Sequence, residues 1–84
     1  MVETFVRRDI PGIRSEIEAD LKRQMRHFAE DNASTVLEYL PAEIIEFDNC
    51  LDVIATRYRS QLPEDADPRD WYVMRMEAKM VARP

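Results

Sequence analysis

The chain has 84 residues, 45% of them apolar and 35% charged, with a formal net charge of −5 and a single Gly, Cys and His. That is enough for one small domain over residues 1–84. It excludes a disulfide scaffold and argues against a zinc site built on several Cys and His ligands, and the acidic balance argues against sequence-independent affinity for DNA or RNA phosphates.

The first nine residues alternate weakly (Val2, Thr4 and Val6 against Glu3, Phe5 and Arg7) with neither side cleanly apolar. They read as a tail or docked segment rather than as a short edge strand. They also lack the apolar core of a signal peptide, and no run approaches the roughly 20 apolar residues of a membrane span. The default compartment is therefore cytoplasmic, and the lone thiol of Cys50 suits a reducing one.

Pro11-Gly12 punctuates the entry to a first helix. Ile13, Ile17, Leu21, Met25 and Phe28 recur on one face with Ile10 in phase, predicting about five amphipathic turns that end near Asp31-Asn32. Thr35 with Glu38 has the spacing of a capping box. Val36, Leu40, Ile44, Phe47, Leu51, Ile54 and Tyr58 keep one helical phase through Pro41, predicting a second helix from about Thr35 to Ser60, kinked at the proline. Two shorter helices broken at Leu40-Pro41 are the alternative.

Asp67-Pro68-Arg69-Asp70 is a helix-start signal: a side-chain cap, a proline at the first helical position, and a carboxylate in the first turn. The residues after it, set at about 100° steps, sort into two opposed apolar stripes. Trp71, Met74, Ala78 and Val81 form one; Tyr72, Val73, Met76 and Met80 form the other. Arg75, Lys79 and Arg83 fill a charged strip between them. A helix packed once against its own domain needs only one stripe, so the second is expected to meet a partner or another copy of the chain.

No residue cluster rises to a catalytic, cofactor or metal motif. His27 has Glu30 and Asp31 three and four residues on, the minimum for an acid–base pair, but it stands on a polar flank and reads as a solvated histidine. Cys50 lacks a base and an electropositive setting, and reads as a small hydrophobe. Glu43, Glu46, Asp48 and Asp52 are spread around a polar arc and read as a solvated acidic face.

The expectation is an all-α, three-helix antiparallel bundle with its middle helix kinked at Pro41, assembled as a homodimer. It would be a small, acidic, non-enzymatic regulatory protein that binds another protein through Tyr72, Val73, Met76 and Met80, with Arg75, Lys79 and Arg83 as a charged rim. No cofactor and no metal are expected. A nucleic-acid-associated regulator using the Arg75/Lys79/Arg83 stripe is the alternative.

Overall fold

The computed structural model describes residues 1–29, 35–47 and 52–82. In chain order these form strand β1 (Val2–Arg7), helix α1 (Ile13–Ala29), strands β2 (Thr35–Tyr39) and β3 (Glu43–Glu46), helix α2 (Val53–Arg59), a 3-10 turn (Pro68–Asp70), and strands β4 (Trp71–Met76) and β5 (Ala78–Ala82). The architecture is mixed α/β. An all-α helical bundle is therefore corrected: five strands form two antiparallel sheets and only two helices flank them.

The expected third helix is the largest correction. Asp67 does cap a turn, its side chain accepting from the Arg69 amide with Pro68 following, but the turn ends after three residues. Trp71–Ala82 then runs extended, interrupted only at Glu77. Twelve extended residues reach about 40 Å, most of the molecule's 47 Å long axis. This strand is the centre of the fold. β4 lies between β1 and β3 in the order β1-β4-β3, and β5 pairs with β2.

The expected kinked second helix is also corrected. Its first half is β2 and β3, and only Val53–Arg59 is helical, capped by Asp52, whose side chain accepts from the Ile54 amide at 2.7 Å. Pro41 marks a break of another kind. Tyr39 stands opposite Ala78 and Glu43 opposite Arg75, so Leu40, Pro41 and Ala42 face only Met76 and Glu77. One extra residue is a β-bulge. The Leu40 amide still donates to the Glu77 carbonyl at 2.8 Å, and Pro41, which has no amide proton to offer, occupies a position where the ladder is already interrupted.

Strand alternation divides the core between the two faces of the sheet. Val6, Tyr72, Met74 and Met76 meet Leu21 and Met25 of α1, with Ile13 and Ile17 beside them. Val73 meets Phe47 and the α2 residues Ala55 and Tyr58, with Phe5 and Ile45 alongside. Phe5 adds an edge-on contact to Tyr58 at 6.4 Å and a tilted one to Phe47 at 6.3 Å. The result is three layers, α1 over the sheet over α2. The first helix forms where its i, i+4 repeat predicts; its expected end near Asp31-Asn32 lies outside the described residues. Residues 2–7, read as a tail, are an edge strand in register with β4 from Val2–Met76 to Arg7–Trp71.

Candidate functional site

Alternation along the long strand sets Tyr72, Met74, Met76, Ala78 and Met80 on the α1 face, and Val73, Arg75 and Lys79 on the other. α1 covers the first face as far as Ala78. Consequently Tyr72, Val73 and Met76, three of the four residues expected at a partner surface, are 8%, 1% and 1% exposed within the chain's own core, whereas Met80 is 60% exposed.

The charged rim is divided in the same way. Arg75 is the centre of a three-strand ladder, directly opposite Glu3 on β1 and Glu43 on β3. Its Nε lies 3.4 Å from Glu3 Oε2 and its guanidinium 3.6 Å from Glu43. The Tyr58 hydroxyl donates to the same Glu3 oxygen, and the Tyr58 ring lies 5.7 Å from the Arg75 guanidinium carbon. Donation to the Glu3 carboxylate requires the neutral phenol, so this bond, with desolvation added, holds the Tyr58 pKa above its ordinary value. Lys79 pairs with Glu38 at 3.6 Å. Arg83 lies outside the described residues. Both described cations of the stripe are thus engaged by carboxylates, which is a structural use of their charge.

The remaining candidates stay dispersed. His27 is exposed on α1, and the carboxylates expected beside it lie outside the described residues, as do Cys50 and Asp48. Glu43 serves the Arg75 ladder, Glu46 lies 3.6 Å from Arg8, and Asp52 caps α2. Among the described residues no three His, Cys, Asp or Glu side chains converge to hold a metal. No helix among them is long and apolar enough to cross a membrane.

The least enclosed part of the fold is the β2–β5 arm. Leu37 and Tyr39 are half-buried under α1, and the Tyr39 hydroxyl donates to the Lys22 carbonyl at 3.3 Å. Met80, opposite Leu37, projects beyond that cover. On the reverse face Val36 is 40% exposed and pairs with Val81. Among the described residues β5 pairs with β2 alone, leaving its other edge without a strand. Val36 and Val81 were assigned to helical stripes from sequence; the alternation in Thr35-Val36-Leu37-Glu38-Tyr39 is the signal that would have found their pairing. Comparison with known protein families, curated proteins and solved structures yields no match for this chain.

Proposed function

We propose that the protein is a small, non-enzymatic interaction module that assembles with a second copy of itself by adding strand to strand along β5. The observation that carries this is the open β5 edge with Met80 standing 60% exposed on it. Unpaired edge amides and carbonyls are templates for another strand, and a two-fold contact must be complementary to itself.

The β5 sequence satisfies that condition. With the axis at Met80, Ala78 faces the partner's Ala82, Lys79 faces the partner's Val81, and the two Met80 side chains meet. No like charges stand directly opposite. Met80 and Val81 are already partly covered, so burying what each copy still exposes supplies less than the roughly 6–12 kcal/mol gross of four fully exposed side chains, against roughly 4–15 kcal/mol for association. Backbone hydrogen bonds add about 0.5–1.5 kcal/mol each. The expected complex is therefore weak and concentration-dependent.

Sedimentation equilibrium across the micromolar to millimolar range tests it. Met80→Glu is expected to shift the chain to monomer, with an unchanged urea midpoint at protein concentrations where both chains are monomeric. A wild-type chain that stays monomeric throughout, or a variant that associates as wild type does, removes the proposal.

A further inference from the structure

A cleft of about 310 Å³ opens between the start of α1 and the β1 and β3 ends of the sheet, at the lower end of the range for small-molecule sites. The chain enters it through Arg7-Arg8 and turns at Gly12, whose φ of +76° is the one positive value in the described backbone. Among the described residues, none beyond its two chain neighbours comes within 4 Å of where a Cβ on Gly12 would stand. The turn delivers the N-terminus of a 17-residue helix to the cleft wall, with the positive end of the helix dipole.

Among the described residues the cleft wall carries three guanidinium groups and the carboxylate of Glu46, in a chain whose net charge is −5. Their roles differ. Arg7 is held by Asp9 through two bonds of 2.9 and 2.8 Å. Arg8 is fixed as a wall, its Nε donating to the Trp71 carbonyl at 3.3 Å and its guanidinium 3.6 Å from Glu46 and 5.9 Å from the Tyr72 ring. Arg14, in the first turn of α1, is exposed, and among the described residues no carboxylate pairs with it. Tyr72 supplies the independent observation. It is only 8% exposed and lines the cleft, yet its hydroxyl has no hydrogen-bond partner among the described residues. The hydroxyl oxygen itself is reached by solvent, so it is available to donate to a ligand that enters the cleft.

We propose that this cleft binds a phosphoryl group, as inorganic phosphate or a small phosphate monoester. The Arg14 side chain, the Arg14 and Ser15 amides (those of Ile13 and Glu16 already donate to Ile10 and Gly12) and the Tyr72 hydroxyl are its donors, and Arg8 is a fixed positive wall. Three donor types arranged around one space suit a tetrahedral dianion better than a planar carboxylate, and guanidinium adds its fork to phosphate oxygens. Ile10 and Pro11 on the rim provide apolar surface for an ester's organic part.

Titration of ¹⁵N-labelled protein with inorganic phosphate, phenyl phosphate and acetate, at one low ionic strength, tests the site. The phosphates are expected to move the amides of Gly12 to Glu16 and of Tyr72. Arg14→Gln should weaken binding about tenfold or more, the scale of a charged hydrogen bond, and Tyr72→Phe about two- to tenfold. Tighter binding of phenyl phosphate than of phosphate identifies a monoester site; equal binding identifies a phosphate site. Acetate producing the same shifts at the same affinity overturns the proposal. So does silence toward both phosphates, or wild-type titration by both variants.

Discussion

Met74 and Met80 are the same residue type on the same face of the same extended run, six positions apart, and their replacement by alanine should differ sharply. Met74 is fully enclosed at the centre of the three-stranded sheet against α1, whereas Met80 is 60% exposed. Truncating a buried methionine costs about 2–5 kcal/mol, the transfer of its atoms plus the cavity left behind. A chain of this length has a total stability of roughly 4–13 kcal/mol. Met74→Ala should therefore remove a large share of it and lower Tm by on the order of 10–40 °C, while Met80→Ala stays within about 0.5 kcal/mol at protein concentrations where the chain is monomeric. Urea titrations followed by far-ultraviolet circular dichroism at micromolar protein measure both. Equal losses at the two positions, or a loss under about 1 kcal/mol at Met74, would refute the assignment of this run to a strand buried only as far as Ala78.

Pro41 occupies a bulge where no ladder amide is required, so Pro41→Val should move the urea midpoint by less than the equivalent of about 1 kcal/mol. The Ile45 amide faces β4 opposite Val73, so Ile45→Pro removes a ladder bond and should cost about 1–3 kcal/mol or more; a reversed order would discard the bulge. The Tyr58 phenol titrates above its ordinary value because it donates to Glu3, so folding favours its protonated form. Its contribution to stability is present below the unfolded value near 10 and lost as pH rises through the folded one. Tyr58→Phe should flatten the alkaline limb of a pH–stability curve, and an unaltered limb assigns the alkaline loss to other groups.

Local pattern was sufficient for the parts of this chain held by local bonds. The repeat Ile13, Ile17, Leu21, Met25 forms α1 and points Leu21 and Met25 into the core. Asp67-Pro68 starts a turn because the cap and the proline act within three residues. The same logic misread Trp71–Ala82 for a geometrical reason. Residues two apart on a strand share a face, but at helical steps they fall about 200° apart. A run alternating every second residue therefore shows, on a helical projection, as two opposed stripes. Tyr72, Met76 and Met80 fell in one, Met74 and Ala78 in the other, although all five share the α1 face of the strand. The alternation in Met74-Arg75-Met76-Glu77-Ala78-Lys79-Met80 was legible as a strand. The exposure of Met80 and the open Tyr72 hydroxyl were not, because they depend on where α1 ends its cover and where its first turn lies.

What the residues alone determined were the amphipathic first helix, the side-chain cap at Asp67 though not the short turn it starts, and an acidic composition with one His and one Cys. Tertiary structure decided whether the last run became helix or strand. A helix closes its hydrogen bonds four residues away, while this strand closes them with Val2, 74 positions before Met76, and Ile45, 28 positions before Val73. Those partners become neighbours only when the whole chain has folded.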